Sequence, residues 1–455
     1  DVAVGRYRLL ETMRRYAADR LAQLGEPAAV VERHAEYFVA FAEEAGSGLD
    51  GPDQAMWLAA LETERDNLRA ALEWSIDHEP MALRLSAAIW RFWLLRGRPA
   101  EGRDWLEKSL GSATGADDRS RVQALLGMGA LASHQGDRDT AQGYLDDAGR
   151  LAADIGDLRV AAAAAAALAV IQHKDGNLPA AAELFRTSLE QARAASDPVQ
   201  ASRALTNLAL VLADMGAQDE AAECARESLE ISRSLGIPDL IADAMLTTAE
   251  ILINRGDTSE ARHLVEEALR QSRETGVEDI TAWALAYLGK LSLQTADLTA
   301  SRTLLGEAVA MFRAMESPMG EEWALRHLAI AELRSGEIRG AMDTASEALR
   351  LAADFVRPDA PHVLQVAGQV VIAAGRPVDG AALLAAARRA GSEMELRSPP
   401  FEAAEMDAAW GEAASLLSAA VLEDANSRGA SLGFDEVVEL ALAVLASPSQ
   451  STGDG

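Results

Sequence analysis

Asn254-Arg255-Gly256-Asp257 is matched forty residues later by Gln294-Thr295-Ala296-Asp297, and forty later again by Arg334-Ser335-Gly336-Glu337. Working outward, the same beat falls on Gly216, Gly176 and Gly136, while Gly97 and Gly375 stand one step out of register. Ala296 is the one gap in the series. Five of these positions read Gly-Asp, Gly-Asn, Gly-Glu or Ala-Asp. Glycine reaches φ > 0 at no steric cost, and Asp or Asn after it can cap the next helix, so the signature predicts a tight turn into a helix. The missing glycine predicts a distorted turn at Ala296. A fixed period of this length means an array of one repeated supersecondary unit, and every other motif has to be read inside it.

Aligned on the turn, the chain shows columns with a packing logic. Seven residues before it stand Gly129, Ala169, Ala209, Ala249, Gly289, Ala329 and Gly368, all small. Eleven before it stand Leu125, Ala165, Leu205, Met245, Leu285, Leu325 and Leu364, mostly large and apolar. Small residues recur five after it, from Ala141 to Gly380, and twelve after it, from Ala148 to Ala387. Small side chains at fixed places on two consecutive helices let their backbones approach, and the large apolar column fills the remaining space. Pro198, Pro238, Pro318 and Pro358 share a second phase, where a helix is expected to stop.

These columns resemble the tetratricopeptide repeat, a helix-turn-helix unit with small residues at fixed positions. The period of forty exceeds the usual thirty-four by about one and a half helical turns, which longer helices and the inter-repeat turn can share. The resemblance implies an all-α, right-handed superhelical solenoid. Seven repeats are expected over residues 119–391, preceded by an atypical capping repeat over 81–118 in which Trp90 takes a small residue's place, and followed by a helical cap over 392–446. That cap is expected to be two helices, Phe401 to Val421 and Phe434 to Ala446, after a Pro399-Pro400 break, with a disordered tail over 447–455.

The first eighty residues carry a second resemblance. Arg6-Tyr7-Arg8-Leu9-Leu10-Glu11-Thr12 opens a basic amphipathic helix over 6–24, Pro27 opens another, and Asp66-Asn67-Leu68-Arg69-Ala70 leads towards Trp90-Arg91-Phe92-Trp93. This stretch is similar to the junction between the ATPase module and the repeats of large bacterial STAND-class regulators, with residues 6–12 resembling the close of their winged helix. The resemblance implies a sensor array acting on an upstream NB-ARC-like nucleotide switch, in a transcription regulator. ATP would be bound upstream and no cofactor by this chain. The chain opens on Asp1 and enters directly into apolar helical sequence, as a segment of something longer would.

Composition agrees with a helical, non-catalytic reading. Of 455 residues 49% are hydrophobic and only 5% aromatic, as alanine-rich helix packing requires. A net charge of −29 disfavours phosphate-backbone binding, so no direct nucleic-acid contact is expected. The one long apolar run, Ala161 to Ile171, is too short for a membrane span. Cys224 is the only cysteine, which excludes an intrachain disulfide and makes a reducing cytoplasm the expected compartment. Gly127-Met128-Gly129-Ala130-Leu131-Ala132 matches a loose dinucleotide pattern, but it follows no strand, and Gly129 belongs to the small column. No G-x-x-x-x-G-K-[ST] or G-x-S-x-G occurs, Asp137-Arg138-Asp139 lacks the glycine of a calcium loop, and the seven histidines are scattered. Catalytic and metal residues are therefore expected to be none.

What remains is the concave face, which the first helix of each unit lines in this repeat class. Thirteen residues before the turn come Arg203, Asp243, Trp283 and Trp323; nine before it Tyr287 and His327; six before it Glu250 and Lys290; two before it Asn254 and Arg334, with Arg326 nearby. These residues form the candidate groove for a protein, peptide or small-molecule partner, since aromatic, cationic and acidic groups together make an anchoring surface. Trp283 and Trp323 read equally as packing between repeats. Two other functions fit the array: a free-standing scaffold for protein partners, and the regulatory array of a cyclase or kinase.

Overall fold

The computed structural model describes residues 27–78, 80–112, 117–355, 359–394 and 400–447, with Tyr16 and Arg20 besides. Apart from Tyr16 and Arg20, the expected helix over 6–24 lies outside the described residues, as do the winged-helix-like segment 6–12 and the tail beyond Ser447. Among those described, the chain forms twenty-two α-helices and no strand.

From Asp118 the helices come in pairs: Asp118–His134 with Arg138–Ile155, Leu158–Lys174 with Leu178–Ala194, Pro198–Asp214 with Gln218–Leu235 and Pro238–Arg255 with Thr258–Thr275. Then follow Glu278–Gln294 with Leu298–Ala314, Pro318–Arg334 with Ile338–Phe355, and Ala360–Ala373 with Pro377–Glu393. Each helix packs on its hairpin partner and on the next hairpin, as a solenoid requires. The long period goes into helices of 17 or 18 residues over most of the array.

One turn conformation makes both connections. Positive φ recurs every twenty residues from Gly136 to Gly336, at Gly156, Ser196, Gly236, Gly276 and Glu316 as well as at the aligned positions. The first member shows the hydrogen bonds: Gly136 N–H donates to Ser133 O and Asp137 N–H to Ala132 O, a Schellman C-cap that satisfies the last helical carbonyls. Of the four prolines, Pro358 lies outside the described residues, and the other three do not stop helices. Pro198, Pro238 and Pro318 open them, at the first-turn position where a missing N–H costs nothing, and the stop comes two residues earlier. Nor is the turn at Ala296 distorted. Alanine takes φ 60°, with Ala296 N–H on Leu293 O and Asp297 N–H on Ser292 O.

The small columns are contact points. A Cβ on Gly129 would stand 2.5 Å from Leu145 Cγ, and one on Gly289 2.6 Å from Leu305 Cγ, while Ala169, Ala209, Ala249 and Ala329 are fully buried. The dinucleotide-like glycines serve the same end: Gly127 receives the ring of Trp90, whose Cγ a Cβ there would meet at 2.8 Å. Trp90 is thus accommodated by the following hairpin. Cys224 is half-buried between two apolar clusters, and burial raises its thiol pKa.

The N-terminal helices Pro27–Gly48, Gln54–Thr63 and Arg65–Ser75 pack with Met81–Leu95 around Phe38, Leu61, Leu72 and Phe92. The superhelix is tight enough that distant repeats touch: Arg138 Nη2 donates to Phe355 O across the coil at 2.8 Å. After the last hairpin stand three helices where the sequence predicted two, Pro400–Leu416, Ala419–Ser431 and Phe434–Ala446, because Ser418 caps a new helix through Val421 N–H. The last two dock on the end of the stack. Gly429 brings the first of them so close that a Cβ would lie 2.0 Å from Ala382 O. Pro400–Leu416 takes another course and turns onto the concave face.

Candidate functional site

The concave face divides into two unlike halves. The first is a cavity of about 480 Å³ between the first helices around residues 203–280 and the Leu94–Arg98 turn of the N-terminal segment. Arg203 and Asp243 line it, and so do Asp239, Asp279 and Arg96. Arg203 Nη2 donates to Asp50 Oδ1 at 3.0 Å, and Arg91 Nε stands 3.2 Å from the same oxygen, so the N-terminal helices are tied to the groove through one carboxylate. Burial raises the Asp50 pKa, but Arg91 and Arg203 outweigh it and hold the group below its ordinary value. For Asp243 the balance is reversed: burial outweighs the Arg203 charge, which acts to lower its pKa. Water reaches its side chain, yet the surrounding coil desolvates it, and Asp239 and Asp279 repel a second charge, so its pKa is pushed up to about 7. Asp279, equally wetted and enclosed, is pushed up to about 6 by desolvation.

The second half runs from Tyr287 to His362 and is closed. Trp323 is 8% exposed and packs edge-on against Trp283 at 5.8 Å and Tyr287 at 5.1 Å, while Trp283 meets Phe312 at 5.0 Å. Among the two readings open for the tryptophans, the structure places both in the packing between repeats: Trp323 belongs to the core and half-buried Trp283 lies against it. Tyr287 donates its hydroxyl to Glu250 Oε2 at 2.5 Å, and burial, with that carboxylate's charge, raises the phenol pKa. His327 stacks on Trp323 at 3.9 Å and donates from Nδ1 to Trp323 O. Lys290 Nζ lies 5.5 Å from the Trp323 ring. Arg326 Nε donates to Glu322 Oε1 at 3.1 Å, with both side chains buried. Burial raises the Glu322 carboxyl well above its ordinary value, Asp359 reinforcing it and Arg326 opposing it.

Lys290, Arg326 and His327 also line a residual space of about 20 Å³, together with His362 and Glu405 of helix Pro400–Leu416. Arg334, at the end of its helix, forms an ion pair with Glu405. Asn254 is half-buried and lines neither cavity. His173, which lines neither cavity, pairs with Asp214 at 2.7 Å; burial lowers its pKa, but Asp214, Asp359 and Glu250 outweigh that and leave it raised. Of the eleven candidate residues, then, Arg203 and Asp243 share the open cavity, and Lys290, Arg326, His327 and Arg334 gather at the closed end. The sequence reading missed Asp239 and Asp279, although they stand forty apart at one repeat phase. It also missed Arg96, beside Gly97 in the capping repeat, and Asp50 and Glu405, which come from outside the repeats and bear no periodic signal. Among the described residues no group of three or more His, Cys, Asp or Glu side chains is placed to hold a metal ion, and no helix is long and apolar enough to cross a membrane.

Paired helices, Schellman turns and buried small columns define a tetratricopeptide-type solenoid. Residues 95–284 match the family described as the MalT-like TPR region. Over 107 residues it is 42% identical to a protein of Mycobacterium bovis named as an HTH-type transcriptional regulator, and equally so to one of Mycobacterium tuberculosis; the match covers 23% of this chain and 12% of those proteins. Among solved structures, it is similar to a Rap protein complexed with Competence and Sporulation Factor, with a TM-score of 0.55, 14% identity and coverage of 83% of this chain and 99% of that one. It is also similar to the APC/C hetero-tetramer Cut9–Hcn1, with a TM-score of 0.50, 14% identity and coverage of 83% and 63%. At such identities the likeness is one of fold.

Proposed function

We propose that this chain is the ligand- or partner-binding sensor region of a STAND-type ATPase transcription regulator and performs no chemistry itself. The observation that carries this reading is the 480 Å³ cavity whose wall is shared by the repeats and the N-terminal segment. Arg203 of the groove and Arg91 of the segment hold one carboxylate, Asp50, between them. An occupant seated against Arg203 and Asp243 acts on that link, and through it on the helices leading towards residue 1. Coupling requires that the occupant bind one arrangement of this junction better than the other. The cavity's size and its mixture of carboxylates and guanidiniums suit a small polar molecule or a short peptide. ATP and its switch belong upstream on this reading, and the net charge of −29 leaves nucleic-acid contact to another part of the protein. The match to the MalT-like region and the relatives named as regulators support it.

The test is a thermal-shift screen of metabolites and short peptides against the isolated chain, repeated on an Arg203→Ala, Asp243→Asn variant. A compound that raises the melting temperature of the native chain and not of the variant supports the reading. A library without such a compound, or binding indifferent to the two substitutions, counts against it, as would ATP hydrolysis or duplex DNA binding by the chain at physiological salt.

A further inference from the structure

The closed end of the groove is filled by the chain itself. Helix Pro400–Leu416 carries Glu402, Glu405, Asp407 and Glu412 and no lysine or arginine. Its buried and half-buried positions, 405, 406, 409, 410 and 413, recur at helical spacing and mark one inward face. That face reaches the stack at helices Pro238–Arg255, Ala360–Ala373 and Pro377–Glu393. Glu405 is delivered to Arg334, beside Lys290, Arg326, His327 and His362, and the space left over has room for a single water. Behind it the helix is held by Arg388, which bonds Asp407 at 3.0 Å and lies 4.7 Å from the Trp410 ring.

Two features separate this helix from an ordinary cap. The end of the solenoid is covered by the two helices after it, so capping does not need it. Its hold is also modest: among its described side chains Ala409 and Ala413 are buried and Met406 and Trp410 half-buried, and its ion pairs are partly in water. We propose that the closed end of the groove is a receptor for the carboxylate of an acidic, alanine-rich helix. Pro400–Leu416 occupies it in cis as a self-ligand, and an acidic helical segment of a partner protein takes its place when the helix leaves. Arg334 and its neighbouring cations read the carboxylate, and the apolar positions spaced around it read the helix. This inference is independent of what the open cavity binds; a screen without hits there leaves the following test intact.

A fluorescein-labelled peptide with the sequence of residues 400–416 is titrated by anisotropy into the full chain and into its Glu405→Arg variant. The variant, whose own helix is repelled from Arg334, should bind the peptide at least tenfold more tightly than the native chain does. Arg334→Glu alone, which repels the chain's own Glu405, should fail to bind the native peptide and should bind a peptide carrying E405R at least tenfold more tightly than the native chain binds the native peptide. Equal affinity of the two chains, or an affinity indifferent to the charges at 334 and 405, overturns the proposal. Hydrogen exchange supplies the control: protection should fall tenfold over 400–416 and stay unchanged over 419–446. If it falls over both, Glu405→Gln replaces the reversal in the same titration, where tighter peptide binding than by the native chain supports the proposal and no gain overturns it.

Discussion

At residues 203 and 323 the chain stands at the same point of the repeat, thirteen before the turn, yet the two side chains live in different surroundings. Arg203 lines an open cavity and is tied to an N-terminal carboxylate; Trp323 is 8% exposed in a core of aromatic rings. Repeat phase decides which face of the solenoid a residue joins. Whether that face is wet depends on what the coil lays across it: the Leu94–Arg98 turn bridges the first half at a distance, and helix Pro400–Leu416 sits directly on the second. A concave column is therefore a set of candidates whose roles diverge along the array.

The sharpest way to break this comparison is substitution at the paired positions. Trp323→Ala removes a buried ring and should destabilise the chain by about 3–5 kcal/mol in urea or guanidinium unfolding. Arg203→Ala loses one partly exposed ion pair and should cost under about 1 kcal/mol. Equal losses would mean that the two halves are packed alike. A smaller effect is expected from pH. Asp243, at about 7, and Asp279, at about 6, hold protons in the folded state that an unfolded aspartic acid near 3.8 has released. Between pH 4 and 7 the folded chain thus binds more protons, so their contribution makes stability fall as pH rises. His173, raised above 6.5, adds to the fall near neutrality, since stability from a raised histidine is lost as pH climbs through its folded value. An Asp243→Asn, Asp279→Asn variant should show a flatter melting-temperature profile over pH 4–7; an unchanged slope would place its origin outside the open half.

The smallest effect concerns the turns that the halves share. Ala296 holds φ 60° in the closed half, where Gly256 holds φ 91° in the open half. Left-handed backbone costs a non-glycine residue about 1 kcal/mol, partly offset by glycine's larger freedom when unfolded. Ala296→Gly should therefore raise stability by up to about 1 kcal/mol and Gly256→Ala lower it by a similar amount. No gain at 296 would mean that the turn is strained elsewhere.

Much of this was legible in advance, for identifiable reasons. The turn glycines and the small columns could be read because backbone conformation and close helix approach restrict residue type at single positions. The second turn was harder to see, since Ser196 and Glu316 break its glycine pattern and the prolines beside it suggested an ending where a helix begins. The groove residues were legible as a face. Their grouping was not, because Asp50 reaches Arg203 across 153 residues and Glu405 reaches Arg334 across 71. Such contacts involve residues outside the repeats and leave no period behind.

The sequence by itself determined the unit: helix, left-handed turn, helix, with small side chains where backbones meet and polar ones on the inner face. These are local or nearest-neighbour demands, and each repeat states them afresh. Only the tertiary structure decided that the coil closes on itself, that its N-terminal helices reach the groove at Asp50, and that an acidic helix from the C-terminal end lies on Arg334. Those outcomes come from small rotations summed over many hairpins and from charges meeting across the coil, neither of which any single stretch of residues encodes.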